Sequence, residues 1–170
     1  MSKVAYFLID GCEETEAVTP IDILRRGGVQ VQMVSLNGEK KSVLSKHNIS
    51  ILAEATLEDW DQEVDMLALP GGTIAYLEHP DFLALLQENA KKGRRLAAIC
   101  AAPAVFGKLG FLQGKKAVIY HGMGSYIAGA EIVDAPVVTD GLFTTSKGPG
   151  TAVDFGLELL TLLEGRKTTE

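Results

Sequence analysis

The chain predicts an α/β sandwich with a mainly parallel central sheet, and three observations carry that reading. Short continuous apolar runs alternate with amphipathic stretches in βαβ order. Several of these runs end in turn residues, as at Asp10-Gly11 and Pro70-Gly71-Gly72. One of them, Arg94-Arg95-Leu96-Ala97-Ala98-Ile99, stops at a cysteine and turns at once into Ala101-Ala102-Pro103, which is how a strand hands over to a helix.

Val4 to Ile9 reads as a continuous apolar strand, Glu16 to Arg26 as a helix closed by Gly27-Gly28, and Val29 to Leu36 as an alternating second strand. Asn48 to Leu52 forms a small extra strand, and Val64 to Leu69 a buried one running into Pro70-Gly71-Gly72. Pro80 and Asp81 open a helix with Phe82, Leu85, Leu86 and Ala90 on one face and Gly93 beyond its end. Leu96 to Ile99 is the strand before Cys100, and Ala117 to Tyr120 is another strand, followed by His121. Val137 to Thr144 folds as a hairpin about Asp140-Gly141, and a last helix starts near Gly148-Pro149-Gly150-Thr151, with Thr151 and Asp154 spaced as a capping box.

At 170 residues the chain is expected to form a single domain, 1–170, with no linker, repeat or low-complexity segment. A net charge of −6 argues against nucleic-acid and membrane-surface partners, because the lysine pairs at 40–41, 91–92 and 115–116 are isolated and build no basic patch. The first apolar run is too short for a signal peptide or a membrane span, so a cytoplasmic location is expected. In that reducing compartment Cys12 and Cys100 are expected as free thiols.

A thiol at the strand-to-helix corner sits at the first turn of a helix, where unpaired N–H groups and the macrodipole favour an anion. Free cysteine titrates near ~8.5, and helix N-termini can lower that to ~3.5–7.5, so Cys100 is expected to be largely thiolate. The spacing resembles a nucleophile elbow with sulfur in place of the serine oxygen, lacking the flanking glycines but with Ala98, Ala101 and Ala102 as the small neighbours. In a parallel sheet, functional residues gather beyond the carboxyl ends of the strands. Asp10 to Glu16, Gly71-Gly72, Cys100 and His121 all fall there. Each has an ordinary explanation: a buried structural cysteine, a turn, a loop histidine, an acidic helix start. Their coincidence at one edge favours a cysteine site with an acid and backbone donors.

The motifs Gly11-Cys12-Glu13-Glu14-Thr15-Glu16-Ala17, Asp22 with Arg25-Arg26-Gly27-Gly28, Leu69-Pro70-Gly71-Gly72, Ala97 to Pro103, and Thr145-Ser146-Lys147-Gly148-Pro149-Gly150-Thr151 occur in that order over nearly the whole chain. In them the chain resembles the ThiJ/PfpI superfamily, and within it the branch of the Parkinson disease deglycase protein and bacterial YajL. The resemblance implies a flavodoxin-like three-layer sandwich and a homodimer. It implies that Cys100 is the reactive cysteine, Glu16 the protonated glutamate bonded to it and His121 the nearby histidine. Gly71, Gly72 and Ala101 match the residues of the oxyanion site, and Gly148 and Pro149 are further substrate-binding candidates.

The departures are informative. Ala101 stands where peptidase-like members carry histidine, which argues against a Cys-His protease. Lys46 stands where this branch often has arginine, weakening bidentate recognition of an anion. The chain stops soon after Glu164-Gly165, which leaves an expectation of a more open site, and Cys12 is read as a small filler rather than a resolving thiol. The function expected is a cofactor-free enzyme acting on a small reactive dicarbonyl or on early glycation adducts, with the Cys100 thiolate attacking an aldehyde and Glu16 moving a proton between adjacent carbons. The rival is a redox sensor or chaperone working through oxidation of Cys100. A thiazole-biosynthesis or amidotransferase-like activity rests on fold alone. His47, His79 and His121 show no metal-ligand spacing with either cysteine, so no metal is expected.

Overall fold

A computed structural model describes residues 1–166, so the end of the expected 1–170 domain lies outside the described residues. Strand β1 (Lys3–Leu8) sends Val4, Tyr6 and Leu8 into one apolar cluster and Ala5 and Phe7 into another. That alternation requires a sheet covered on both faces, which is why the strand reads as a continuous apolar run. The remaining elements are α1 (Glu14–Arg26), β2 (Gln30–Ser35), β3 (Ser42–Leu44), β4 (Ser50–Leu52), β5 (Ala55–Thr56), β6 (Met66–Leu69), α2 (Pro80–Lys91), β7 (Arg95–Ile99), α3 (Pro103–Lys108), β8 (Lys116–Ala117), β9 (Glu131–Ile132), β10 (Val137–Asp140), β11 (Phe143–Ser146) and α4 (Ala152–Glu164).

The central sheet has seven strands in the order β10-β11-β7-β6-β1-β2-β5. It is parallel except for β10, which runs antiparallel to β11 through the Asp140-Gly141 hairpin. Helices α1 and α4 share one cluster, through Ala17, Ile21, Leu24, Phe155 and Leu159. Helices α2 and α3 share the other, through Phe82, Leu86, Val105 and Phe106. The second cluster is anchored by Phe7, whose ring lies 5.3 Å from Trp60 and 4.9 Å from Phe82. Each such buried aromatic contributes roughly 1.5–3 kcal/mol of transfer free energy. This is the flavodoxin-like α/β sandwich expected from the sequence. Among the described residues no helix is long and apolar enough to cross a membrane.

Three expectations need correction. The strand at Ala117 to Tyr120 is reduced to β8, which pairs with β9 in a separate two-stranded ladder, because Val118 and Tyr120 donate instead to Thr145 Oγ1 and the Cys100 carbonyl. The extra strand is the second half of a β3–β4 hairpin, and Asn48 lies in its turn at φ 64. The Thr151–Asp154 capping box does not form: the Thr151 hydroxyl turns back to the Gly148 N–H at 3.2 Å, and a 3-10 turn, Pro149–Thr151, leads into α4.

Candidate functional site

The strands β7, β6 and β1 are parallel neighbours, so the residues after Ile99, Leu69 and Leu8 emerge together at one edge. Cys100 follows β7 with φ 67, a left-handed conformation that an L-residue other than Asn or Asp adopts at a cost of roughly 1–2 kcal/mol. Its N–H donates to Ser146 O at 2.9 Å and its carbonyl accepts from Tyr120 N–H at 2.8 Å, so loops on both sides enforce the bend. Such strain, held by its surroundings, is the mark of a nucleophile elbow.

Gly71 and Gly72 follow β6. A Cβ on Gly71 would sit 2.6 Å from Ile99 O, 2.7 Å from Cys100 Cβ and 2.8 Å from Ala101 N, so only glycine lets this turn lie against the elbow. Gly72 has φ 86, and a Cβ there would meet Glu13 N at 2.5 Å. The turn is tied to the start of α1: Glu13 N–H donates to Gly71 O, and Gly71 N–H donates to Glu16 Oε1, each at 2.9 Å. Glu13 caps α1 with its own carboxylate, accepting from Glu16 N–H at 2.8 Å.

Glu16 is therefore buried in the first turn of α1, with no exposed surface. Its Oε2 has no hydrogen-bond partner among the described residues, and the carboxyl lies beside the Cys100 thiol, with the charges of Glu13 and Lys46 also acting on it. Burial raises the Glu16 pKa to about 7, against hydrogen bonds from Cys100 and Gly71 and the charge of Lys46, which lower it. Burial, then the charge and hydrogen bond of Glu16, push the Cys100 thiol up to about 12, while the amides of Gly72 and Ala101 favour its anion. The expected thiolate set by a helix dipole is thus replaced by a coupled pair. Cys100 precedes α3, a helix of six residues, by three positions, and its closest electrostatic partner is a carboxylate. The two protons belong to the pair, and after the first is lost one negative charge is shared between sulfur and carboxyl.

The other expected residues take different places. Ala101 follows Cys100 and supplies one of the amides toward the sulfur. Gly148 and Pro149 follow β11, whose Ser146 pairs with Ile99, so they reach the same edge, with Gly148 against the Tyr120 ring. His121 is exposed and makes no hydrogen bond to Cys100 or Glu16 among the described residues; it lines a cavity of about 350 Å³ with Val118, Tyr120, Ile132, Asp134 and Lys147. Asp10 is structural, accepting from Asn37 Nδ2 at 2.7 Å and Leu44 N–H at 2.9 Å. Cys12 is fully buried and free, with its pKa raised to about 11 by burial.

The sequence reading singled out Lys46 for anion recognition but did not foresee its place at the glycine turn, and it missed His47. Lys46, in the β3–β4 turn, donates to Gly72 O at 3.0 Å and brings a cation to the glycine turn. His47 beside it bonds Glu14 at 2.7 Å and lies 3.9 Å from Glu13. Glu13, Glu14 and His47 are the one grouping among the described residues whose donor atoms, all within 4.8 Å, can address a cation, and it includes neither cysteine. A βα loop and a distant hairpin meet here, which spacing along the chain does not reveal.

An elbow cysteine, a glutamate in the first turn of α1 and a Pro-Gly-Gly turn between them thus meet at one sheet edge. Residues 2–162 match the DJ-1/PfpI family. The chain belongs to that family. Protein dj-1beta of Drosophila melanogaster is 34% identical over 100% of this chain and 94% of its own length. The crystal structure of Drosophila melanogaster DJ-1beta superposes with a TM-score of 0.94 at 35% identity, covering 99% of this chain and 94% of that one. Protein DJ-1 homolog B of Arabidopsis thaliana is 33% identical over 94% of the chain, which spans 37% of that relative's length. Among more distant DJ-1/PfpI proteins, Deglycase PH1704 of Pyrococcus horikoshii is 28% identical over 95% of this chain and 99% of its own.

Proposed function

We propose that this chain is a cofactor-free enzyme of reactive dicarbonyls or early glycation adducts, with Cys100 as nucleophile and Glu16 as proton carrier. The observation that carries the reading is the buried Cys100–Glu16 pair beside the Gly71-Gly72 turn, and the deglycase name of the Pyrococcus relative supports it. As sulfur adds to the aldehyde carbon of methylglyoxal, the Glu16 carboxylate takes the thiol proton, so a low thiol pKa is not required. The amides of Gly72 and Ala101 face the developing oxyanion. Glu16 returns that proton to the oxyanion, which gives a hemithioacetal and regenerates the carboxylate. Glu16 then moves a proton from the first carbon to the second through an enediol, leaving a thioester that water cleaves to lactate and free thiol. His121 lines a cavity whose walls include neither Cys100 nor Glu16, so these steps assign it no proton transfer. The test is lactate formation from methylglyoxal without glutathione: native protein turns over, Cys100→Ala does not. Equal rates in the two overturn covalent catalysis.

A second reading, oxidation sensing, is favoured by the buried and unpartnered Glu16 Oε2 beside Cys100, which when protonated can donate to a sulfinate oxygen there. We further propose a homodimer. Val18, Ile49, Leu52 and Val153 are apolar and half or more exposed, surface that a second copy of the chain would cover. Light scattering at micromolar concentration tests it, and a monomer overturns it. A cytoplasmic location suits two free cysteines.

A further inference from the structure

Two prolines sit where the backbone beneath the site needs a donor, and each has a buried tyrosine hydroxyl in its place. Pro20 lies inside α1 and has no N–H to give to the carbonyl four residues back, which is that of Glu16. Tyr6 donates its hydroxyl to that carbonyl at 2.7 Å. Pro70 ends the β1–β6 ladder in the same way. Leu36 N–H donates to Leu8 O, so the neighbouring Phe7 carbonyl faces β6. The register Tyr6↔Ala68 carried one step further would have Phe7 O accept from residue 70, which is proline. Tyr76 fills that gap, its hydroxyl lying 3.2 Å from Phe7 O and 3.0 Å from Pro70 O.

We propose that Tyr6 and Tyr76 are positioning residues of the Cys100 site, replacing the donors that Pro20 and Pro70 lack and so fixing the Glu16 turn of α1 and the Gly71-Gly72 turn. Neither hydroxyl touches the sulfur; each holds the backbone of a residue that does, or of the turn directly before one. Both rings are fully buried, and burial keeps both phenols well above their ordinary range, so each retains the proton it donates. Without Tyr6 a buried carbonyl is left unpaired directly behind Glu16, and water or a shifted helix turn must satisfy it.

For catalysis this rests on the dicarbonyl reading, so the experiment has an arm that needs no substrate. The pH profile of Cys100 alkylation by iodoacetamide reports the Cys100–Glu16 pair, with Glu13, Lys46, Tyr6 and Tyr76 as the other titratable neighbours. Tyr6→Phe is expected to move the midpoint down as water relieves the desolvation of Glu16, and to lower kcat by roughly tenfold with KM within about twofold. Tyr76→Phe is expected to move the thiol limb up by loosening Gly72. Pro20→Ala, which restores an amide donor to Glu16 O, should return the Tyr6→Phe profile to that of the native protein. Phe82→Leu disturbs the ring packed 5.8 Å from Tyr76 and should lower Tm without moving either limb. Unchanged profiles in both tyrosine variants, or a folded Tyr6→Phe/Pro20→Ala protein that is not restored, overturn the proposal. If Tyr6→Phe alone does not fold, recovery of folding by Pro20→Ala supports it and continued failure overturns it. Native protein that makes no lactate overturns the dicarbonyl reading and leaves the alkylation result standing.

Discussion

The Gly71 N–H donates to Glu16 Oε1 across 2.9 Å, so an amide after β6 orients a carboxyl group on α1 whose other side meets the thiol after β7. Three segments distant in sequence thereby share one hydrogen-bonded unit, and its electrostatics decide how the protein responds to pH and to substitution.

Glu16 titrates near 7 in the fold rather than in the ordinary carboxyl range, because burial disfavours its anion. Folding therefore favours the protonated form. Its contribution to stability is full below the ordinary carboxyl value and is lost as the pH rises through about 7. The loss is on the order of 3 kcal/mol. Urea denaturation of the native protein from pH 4.5 to 8 should show that decline, and Glu16→Gln should flatten it. A variant with the same slope as native protein would assign the decline to another group.

Lys46 lowers the Glu16 pKa through its charge and holds Gly72 O. Lys46→Met should move the Glu16 midpoint upward at low ionic strength. Lys46 is exposed, so the difference should shrink in high salt. Infrared titration of the buried carboxyl band in both proteins reads this directly.

Gly71→Ala places a methyl group against backbone atoms of Ile99 and Ala101. The elbow or the turn must shift, at a cost of roughly 1–3 kcal/mol. Denaturant unfolding should show the loss, and Cys100 alkylation should change with it, because the same displacement separates the Gly72 amide from sulfur.

Both thiols are raised by burial, but Cys12 has no exposed surface, whereas Cys100 is 6% exposed and has beside it the Glu16 carboxyl to take its proton. Mild peroxide should therefore add two oxygens to Cys100 and leave Cys12 unmodified. Intact mass spectrometry distinguishes this from a loss of two hydrogens, the signature of a Cys12–Cys100 disulfide, which should be absent in Cys12→Ser as well.

Much of the sheet was legible in the sequence because the governing signals are local. The apolar run of β1 alternates between two cores, the Asp140-Gly141 hairpin turns where the dipeptide says, and the Cys100 corner follows from the small residues after it. Local pattern put Cys100 and Gly71-Gly72 just past predicted strands and the acidic run at Asp10 to Glu16 at a helix start, so their shared edge was legible, whereas Glu16 was picked out of that run by the family resemblance. The failures fall where a non-local donor or acceptor overrides local preference. Tyr120 has an apolar, strand-like context, yet its N–H is taken by Cys100 O, and Thr151 bonds Gly148 rather than capping toward Asp154.

The sequence by itself determined the layers, the order of the motifs and the chemical types at the edge, because hydrophobic periodicity and turn chemistry act within a few residues. Tertiary structure alone decided the protonation of the site. A helix start suggested a thiolate, but the charge that matters is that of Glu16, 84 positions away in sequence and beside Cys100 in space. Desolvation depends on everything packed around a group, and no local pattern encodes it. The same holds for Tyr6 and Tyr76, whose hydroxyls answer prolines that only the folded chain brings within reach.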